Sequence, residues 1–466
     1  MFLIIFLISV FSVLFNGKNA LSVWLVTSLL IPSFVRILPV PLSFGLAMTF
    51  FLLLYSFIYS ENTKKLEIGL KWTLIFSFHY ILIRIIFSFL GTFFTCLDIL
   101  QKSYINCLFL AVISFVVWKI SDEKSMNLAY KSVCIVLVFV CLFGIFTYFI
   151  RSNPYIEILS KYTAGNVDFV GAAATYASEV RGGLESRISV LTYNPLQYAI
   201  LIIAFIFIPI YQYLKENNKF YIVVIGLMFV NLFLTGSRGP FISLILACSF
   251  FYIKYQDQKG RIIFISGFIV LLVFLLTFPG LDNYASYIKS IIFIFSEKAS
   301  EAADIHGSSI SGRLMQLEGV LSIISGSKSG IRTILFGLGD GYTHYFLEKY
   351  GINYDGVGAF EGIILSDLLN FGIIGLICVD IFPWIFVFYC IKTAKGHNYI
   401  SKRDAYLLYS MLLTQILFSF LVGAVYYLIY FSILFCLMKS MMIDHRKATL
   451  LKIFRLTKTN KLYEKV

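Results

Sequence analysis

The chain has 466 residues, of which 59% are hydrophobic and only 14% are charged, and it contains 48 Phe and 30 Tyr. No water-soluble domain of this length carries so little charge, and apolar stretches long enough to cross roughly 30 Å of hydrocarbon recur from end to end. The sequence therefore excludes a soluble enzyme and predicts a polytopic integral membrane protein. Its spans should be helices, because backbone in lipid must satisfy its own hydrogen bonds and the alternating polarity of a barrel is missing.

Neither the net charge nor the cysteines indicate a site for nucleic acid, a metal ion or a cofactor. The formal charge of +13 is distributed among loops and a basic tail, whereas a nucleic-acid surface would gather its cations on one face. We therefore expect no nucleic-acid partner, and we expect the tail KIFRLTKTNKLYEKV to touch membrane lipid. All eight Cys lie in or beside apolar runs without a CxxC pair, so no disulfide framework, metal site or cofactor is predicted.

Hydropathy predicts an all-α bundle of about 12 transmembrane helices. The candidate spans are residues 2–15, 21–38, 42–59, 72–95, 104–118, 132–150, 197–213, 220–235, 240–254, 262–279, 363–391, 404–421 and 424–438. If all of these runs cross the membrane, the N-terminus lies outside. If one N-terminal run does not cross, the N-terminus lies inside. The first run has no basic start and no small-residue cleavage site, so it is predicted to be a retained helix rather than a signal peptide.

Lys and Arg in the short loops set the predicted orientation. Those that fall on one side, expected to be the cytoplasm, are Lys64, Lys65, Lys71, Lys119, Lys124, Lys131, Lys215, Lys219, Lys254, Lys259, Arg261, Lys392, Lys395, Lys402 and Arg403. The chain then divides into N-terminal transmembrane helices (1–150), a first extracytoplasmic loop (151–196), central transmembrane helices with an outer SRG turn (197–279), a large extracytoplasmic loop containing short helices (280–362), C-terminal transmembrane helices (363–438) and a basic cytoplasmic tail (439–466).

Arginines on the predicted outer side depart from this charge rule. Arg181 and Arg187 precede an Asn194-Pro195 step that opens the next span, and Arg238 lies in the turn GSRGP between two apolar runs. In the long loop Arg313 follows a Ser/Gly-rich helix start, where backbone amides also favour anions. The planar guanidinium matches phosphate oxygens, so several converging at a membrane surface indicate a phosphate or diphosphate headgroup. A single arginine of this kind is better explained as an interfacial side chain, and only the four together make a phosphate site a comparable explanation.

The long loop also contains a carboxylate and several tyrosines of interest. Glu361 lies at the lip of the next span, where a partly desolvated carboxylate can serve as a general base, although an ordinary acid at a helix N-terminus has the same position. Possible glycan contacts are Tyr342, Tyr345, Tyr350 and Tyr354, while the other aromatic residues are explained by interfacial belts. The string Gly337, Gly339, Gly341 lacks a strand and helix around it, so it predicts a flexible loop rather than a nucleotide site.

Two ionisable residues lie inside a predicted span. His79 and Arg84 fall within residues 72–95, where a polar group is costly and marks a functional candidate by default. Pairing with a neighbour in the bundle such as Asp380 is the alternative, and the sequence leaves both open.

The order of these motifs resembles the O-antigen ligase and polymerase superfamily. The resemblance rests on a loop arginine before an NP step, the TGSRG turn, a GR pair opening a helix, then LFGLG and FGIIGL, and it covers roughly residues 180 to 380. It implies a membrane glycosyltransferase, with its active site on the extracytoplasmic face of the bacterial inner membrane, that takes a glycan from an undecaprenyl diphosphate carrier. It also implies that Arg187, Arg238 and Arg313 bind the donor diphosphate, with Arg181 and Asn194 as possible glycan contacts.

The sequence departs from the ligase pattern at two places. Ligases of the superfamily carry His-Asn where this chain has Glu361-Gly362, and the first loop reads NPLQ where NPN is commoner. Glu361 retains a possible base without the ligase residue, which favours a polymerase that joins lipid-linked repeat units, with a chain-length regulator as a possible partner. The reaction needs no metal once arginines hold the diphosphate, and the sequence contains no DxD string. A ligase and a flippase of lipid-linked sugars are the alternatives; the absence of an internal repeat opposes the flippase.

Overall fold

The computed structural model describes residues 2–32, 35–37, 42–59, 68–89, 113–162, 169–178, 184, 186–192, 194–255, 310–326, 330–339, 363–421 and 427–463. These residues are helical almost throughout, in agreement with the predicted all-α class. A single antiparallel pair of two-residue strands, β1 (Arg36–Ile37) and β2 (Leu42–Ser43), is the exception within the described residues.

The helices follow the apolar runs with a few departures. In chain order they are α1 (Phe2–Phe15), α2 (Ala20–Leu30), α3 (Phe44–Tyr59), α4 (Ile68–Ser88), α5 (Glu123–Ile150), α6 (Pro154–Ser160), α7 (Phe169–Ser178), α8 (Pro195–Phe205), α9 (Phe207–Glu216), α10 (Lys219–Leu234), α11 (Arg238–Tyr255), α12 (Ile310–Gly326), α13 (Ile331–Phe336), α14 (Ile363–Leu376), α15 (Phe382–Gly396), α16 (Lys402–Leu421) and α17 (Tyr427–Tyr463). Single π-helical turns cover Ile113–Ile120 and Ile377–Ile381.

Prolines explain two local features of the predicted spans. The run 21–38 is helical only to Leu30, and Ile31 is extended because it precedes Pro32. In the run 197–213 the helical hydrogen bonding is interrupted between α8 and α9, because Pro209 has no N–H to donate to the carbonyl four residues earlier. Ile206 keeps helical dihedrals (φ −62°, ψ −26°), so Pro195–Glu216 remains one continuous candidate span.

The C-terminal spans depart in other ways. The run 363–391 kinks at Gly372 (φ 64°, ψ −169°) and passes through the second π-helical turn before α15. The last run, predicted to end at 438, continues as α17 to Tyr463, so most of the predicted tail is helical. The run 262–279 lies outside the described residues, as does most of 104–118.

Four described segments are long and apolar enough to cross a membrane by length and composition. They are Ile68–Phe87, Glu123–Ile150, Pro195–Glu216 and Ile364–Gly396, and shorter apolar helices occur at Phe2–Phe15, Phe44–Ile58 and Lys219–Leu234. These helices support the assignment to a membrane protein. The number of about 12 spans stays a prediction.

Helix α8 lies at the centre of the bundle. Every residue from Tyr198 to Phe205 is buried, and the helix packs against α9, α10, α11 and α17. A polar contact ties it to its neighbours, because Asn231 of α10 donates to the Cys141 carbonyl at 2.9 Å and accepts from the Tyr198 hydroxyl at 3.0 Å. Gly144 of α5 makes room for this amide, since a Cβ there would lie 1.9 Å from Asn231 Oδ1.

Charged residues gather at one end of the bundle, here called the basic end. The contacts there are Lys215 to Asp444 at 2.9 Å, Lys131 to Glu216 at 3.4 Å, Lys447 to Glu123 at 3.1 Å, and Arg403 to the Leu214 carbonyl at 3.1 Å. They bring the start of α5, the end of α9, the start of α16 and the middle of α17 together. Helix α10 begins at this end with Lys219, and its 16 residues carry the chain about 24 Å to the opposite end.

Asp122 starts α5 at the basic end with a reciprocal cap. Its carboxylate accepts from the Ser125 amide at 2.8 Å, and the Ser125 hydroxyl accepts from the Asp122 amide at 2.9 Å. Burial on its own would raise the pKa of Asp122, but the hydrogen bonds that its carboxylate accepts from the Ser125 hydroxyl and amide, together with the charges of Lys18 and Lys124, hold that pKa below its usual value.

Candidate functional site

The turn between α10 and α11, residues 235–239 and here called the arginine turn, lies at the end of α10 opposite the basic end. The Thr235 hydroxyl donates to the Leu232 carbonyl at 2.7 Å and accepts from the Ser237 amide at 3.2 Å. Gly236 reverses the chain in the left-handed region, at φ +65°. Helix α11 then begins at Arg238, which is buried. The TGSRG string is therefore a tight link between two apolar helices.

Arg187 packs against this turn from the first loop. Its Nε donates to the Thr235 carbonyl at 2.9 Å. A Cβ added to Gly236 would lie 3.1 Å from Arg187 Nε and 3.3 Å from its Cγ. Two of the arginines singled out in the sequence, Arg187 and Arg238, are thus brought to one turn, although they come from separate segments.

The segment that carries Arg187 is held in place on both sides. Ile188 donates its amide to the Leu234 carbonyl at 3.2 Å, which joins the segment to the end of α10. On the other side Ser186 donates to the Tyr148 carbonyl of α5 at 3.2 Å, and the Asn153 amide donates to Ser189 Oγ at 3.1 Å. All residues from 186 to 192 are buried. Arg187 is therefore positioned by the helix framework rather than by a free loop.

The arginine turn has the chemistry of an anion site. Arg187 is 6% exposed and Arg238 is 9% exposed, and each guanidinium presents five N–H donors in a fixed plane. The Ser237 hydroxyl, next to Arg238 in the chain, is buried without a hydrogen-bond partner in the described part of the chain. It precedes the first turn of α11, where backbone N–H groups favour negative charge. A phosphate oxygen is an acceptor that suits this hydroxyl and guanidinium groups.

Asn194 begins the next helix beside the Arg187 segment. Its side chain accepts from the Leu196 amide at 2.8 Å and caps α8, which starts at Pro195. Its backbone carbonyl accepts from the Thr192 hydroxyl at 2.7 Å. The cap accounts structurally for the Asn-Pro step, and contact of Asn194 with a glycan stays a prediction.

Within residues 280–362 the structure describes two helices, α12 and α13. Arg313 lies in α12, which packs against α14, but its side chain is outside the described residues. Glu361, Arg181, Tyr342, Tyr345, Tyr350 and Tyr354 also lie outside the described residues. The structure therefore brings together Arg187 and Arg238 of the predicted site, and the positions of the other members stay predictions.

Two glycine motifs pack together backbone to backbone. Leu338 donates its amide to the Leu369 carbonyl at 3.0 Å, and Gly339 donates to the Asn370 carbonyl at 2.9 Å. A Cβ on Gly337 would lie 2.4 Å from the Asn370 carbonyl, and one on Gly372 would lie 2.5 Å from the Gly337 nitrogen. We call this pairing the glycine clasp. Residues 337–339 are thus engaged in tertiary structure, and the expected flexible loop is wrong for this part of the string.

The glycine clasp has a consequence for the segment that carries Glu361. Residues 340–362 leave the described structure at Gly339 and return at Ile363. Gly339 bonds to Asn370, which lies two helical turns, or about 10 Å, beyond Ile363. Gly339 and Ile363, the described residues on either side of the segment, therefore both lie along α14.

Buried polar residues on α12 and α14 were missed by the sequence interpretation. Gln316, Asp367 and Asn370 are each less than 9% exposed, beside a small apolar cluster of Val320, Ile324 and Leu369. Asp367 is a second carboxylate close to the clasp. In the sequence Asp367 is an acidic residue inside the apolar run IILSDLLNFG. It was missed because an acidic residue near a helix start is common and needs no functional explanation.

His79 has a backbone partner. Its Nε2 lies 2.8 Å from the Cys378 carbonyl, which requires a proton on that nitrogen, and its ring lies 4.3 Å from that of Phe382. Cys378 lies in the second π-helical turn, where a carbonyl is released from the regular ladder. The hydrogen bond thus goes to the backbone of the turn that carries Asp380, and the Arg84 side chain lies outside the described residues.

A family model described as O-antigen ligase matches residues 223–379, about a third of the chain. The matched segment contains Arg238, Arg313, Glu361 and both segments of the glycine clasp. It does not include Arg187 and Asn194. The match confirms the resemblance to the O-antigen ligase and polymerase superfamily over this segment. It indicates a membrane glycosyltransferase-like function of that kind. No curated protein matches the chain.

Proposed function

We propose that this protein is a polymerase that joins undecaprenyl-diphosphate-linked oligosaccharide repeat units into a surface polysaccharide, O-antigen or capsule. It acts on the extracytoplasmic face of the bacterial inner membrane and needs no metal. The observation that carries the proposal is the packing of Arg187 against the turn that leads into Arg238. Two buried guanidinium groups at one turn suit a ligand with several phosphate oxygens.

The reaction is a displacement at the anomeric carbon of the donor. A hydroxyl oxygen of the acceptor sugar forms the new glycosidic bond, and the bond from the anomeric carbon to the phosphate oxygen breaks. The diphosphate leaves with that electron pair, and Arg187, Arg238 and Arg313 hold the charge that develops on it. The hydroxyl proton passes to the Glu361 carboxylate. A single displacement inverts the anomeric centre.

The glycine clasp supports the assignment of Glu361 as the base. It holds Gly339 beside α14, and Glu361 is two residues before the first residue of that helix. A catalytic base must reach the acceptor proton within hydrogen-bond distance. Tyr342, Tyr345 and Tyr354 of the same segment, with Arg181 and Asn194, are the proposed glycan contacts.

A ligase that transfers finished chains is the second candidate. The matching family model carries the ligase description, and it covers the Arg238 turn and the clasp. We favour the polymerase because Glu361-Gly362 occupies the place of the His-Asn pair of ligases. Membrane lipid and a chain-length regulator are the proposed partners, and no nucleic acid is expected.

The arginine pair is tested by substitution in cells that lack the native gene. We expect Arg238→Lys and Arg187→Lys, which keep the charge but lose the planar fork, to reduce long polymer at least about tenfold on a polysaccharide gel. Arg332→Gln removes an exposed arginine of α13 and serves as the matched control. Wild-type ladders from both lysine variants, at equal protein abundance, would contradict the donor site.

The same gel separates the candidate reactions. A polymerase defect leaves a single repeat unit attached to the final acceptor, because ligation continues. A ligase defect leaves no attached repeat unit and accumulates lipid-linked polymer. Failure to deliver any donor to the outer face would instead favour the flippase.

Glu361 is tested by Glu361→Gln, which keeps the shape and removes the basicity. We expect loss of polymer with unchanged protein abundance, and partial retention in Glu361→Asp, which keeps a carboxylate at a shorter reach. Asp367→Asn serves as the comparison for a second buried carboxylate. Full polymer length in Glu361→Gln together with loss in Asp367→Asn would transfer the role of base to Asp367.

A further inference from the structure

A cavity of about 570 Å³ opens at the basic end, opposite the arginine turn. It lies between the start of α4, the first π-helical turn, the link from α15 to α16, and α17. Its lining residues are Ile68, Trp118, His397, Asn398, Tyr399, Lys439, Met442, Ile443, His445, Arg446, Thr449 and Leu450. The cavity is large enough for a small molecule or a lipid headgroup.

The charge of this cavity has one sign. Lys439 and Arg446 supply two basic side chains, His397 and His445 add two imidazole rings, and none of the lining residues that the structure describes carries a carboxylate. Arg446 is exposed and forms no ion pair within the described residues. A cavity with cations and no acid among its lining residues selects an anion.

Helix α17 separates its charges between two faces. Asp444 and Lys447 point to the bundle, where Asp444 binds Lys215 at 2.9 Å and Lys447 binds Glu123 at 3.1 Å. Lys439, Met442, Ile443, Arg446 and Leu450 follow the helical repeat of three and four residues along the face that lines the cavity. Asp444, the carboxylate of this part of α17, is thus paired with Lys215 and does not neutralise the cations that line the cavity.

The walls of the cavity are amphipathic. Lys439 is buried, donates to the Trp118 carbonyl at 3.3 Å, and lies 5.1 Å from the centre of the Trp118 ring. On the opposite rim His445 lies 3.2 Å from the Asn398 amide oxygen. Ile68, Met442, Ile443 and Leu450 supply apolar wall between these polar groups. Such a site can hold a charged head together with the first carbons of an apolar tail.

We infer that this cavity is a binding site for a phosphate group, separate from the proposed donor site at the other end of the bundle. Arg446 provides the planar fork of N–H donors that suits phosphate oxygens. An anionic phospholipid such as phosphatidylglycerol supplies this group attached to an apolar tail. Inorganic phosphate supplies the same group without the tail.

Trp118 provides a local probe for the experiment. The variant Trp24→Phe, Trp72→Phe, Trp384→Phe keeps Trp118 as the sole tryptophan and is reconstituted in phosphatidylcholine nanodiscs. Brominated phosphatidylglycerol and brominated phosphatidylcholine are added at equal fractions, because bromine quenches tryptophan only at close range. We expect stronger quenching by the phosphatidylglycerol.

Substitutions on the two faces of α17 distinguish a site from general surface charge. Arg446→Gln should weaken the preference for phosphatidylglycerol about tenfold, because a charge-assisted hydrogen-bonding group is lost. Lys447→Gln removes the same charge from the other face, one residue away, and should leave the preference unchanged. Equal quenching by both lipids without any response to phosphate, or an equal effect of the two substitutions, would overturn the inference.

A phosphate titration separates the two sources. Reversal of the excess quenching by millimolar inorganic phosphate means that the phosphate group alone is sufficient. No reversal, with the excess retained, means that the lipid tail is needed. Native mass spectrometry of the unaltered chain, counting retained phosphatidylglycerol in wild type and Arg446→Gln, gives the same comparison without tryptophan substitutions.

Discussion

Gly236 combines two requirements at the arginine turn. Its backbone lies at φ +65°, where a residue with a Cβ is strained, and the Arg187 side chain lies across the space that a Cβ would enter. Both requirements come from the same function of the turn, which is to bring Arg187 beside the start of α11. Adding a methyl group at this position should therefore displace the Arg187 side chain.

We expect Gly236→Ala to cost about 1–2 kcal/mol of local strain and to displace Arg187 from the Thr235 carbonyl. Long polymer should fall roughly tenfold or more, because a misplaced positioning group loses catalysis steeply. The measurement is the polysaccharide gel at matched abundance. Gly226→Ala is the control in the preceding helix, since a Cβ there meets no atom within 4 Å. Equal ladders from the two variants would show that the turn tolerates the methyl group.

At the scale of elements, the glycine clasp joins α13 to α14 across a long stretch of sequence. The contact is between backbones, with Gly337 on one side and Gly372 and the Asn370 carbonyl of α14 on the other. Backbone cannot move aside as the end of a flexible side chain can. The clasp therefore depends on the absence of a Cβ at both glycines.

We expect Gly372→Ala and Gly337→Ala each to lower stability by about 1–3 kcal/mol or more, because the added Cβ overlaps backbone atoms. The measurement is the thermal midpoint of the protein in detergent. Gly396→Ala, at the end of α15, is the control, because a Cβ there meets no atom within 4 Å and its backbone is outside the left-handed region. A midpoint for Gly372→Ala as high as that of the control would mean that the two backbones separate freely.

At the scale of the whole molecule, the chain separates two kinds of cation. Lysine-rich contacts join α5, α9, α16 and α17 at the basic end, while Arg187 and Arg238 are buried at the far end of α10. The positive-inside rule predicts that the basic end lies in the cytoplasm and the arginine turn outside. The two phosphate chemistries proposed here would lie on opposite sides of the membrane.

Cysteine labelling tests this orientation. Lys161→Cys is exposed just after α6, beyond the far end of α5, and Lys124→Cys is exposed at the basic end. We expect a membrane-impermeant maleimide to label Lys161→Cys in intact cells and Lys124→Cys only after permeabilisation. The wild-type chain, with its eight native cysteines, gives the background. The reverse pattern would place the arginine turn in the cytoplasm, on the opposite side of the membrane from the proposed substrate, and would contradict the proposed function.

The sequence by itself determined the helical membrane class, most helix positions and the candidate arginines. These follow from local properties, since hydropathy marks apolar helices and Pro or Gly marks their ends. Its errors were also local in origin. The helix that ends at Leu30 and the continuation of the last helix to Tyr463 each depend on one boundary that hydropathy alone does not locate.

Only the tertiary structure decided which of these residues meet. The hydrogen bond from Arg187 to Thr235, the glycine clasp and the cavity beside Arg446 each join segments far apart in the chain. Such contacts depend on close packing and on the direction of individual hydrogen bonds, which composition and periodicity do not encode. A sequence motif can therefore identify Arg238 as a candidate. Only the fold shows that Arg187 packs against the same turn, through hydrogen bonds to the backbone at Leu234 and Thr235.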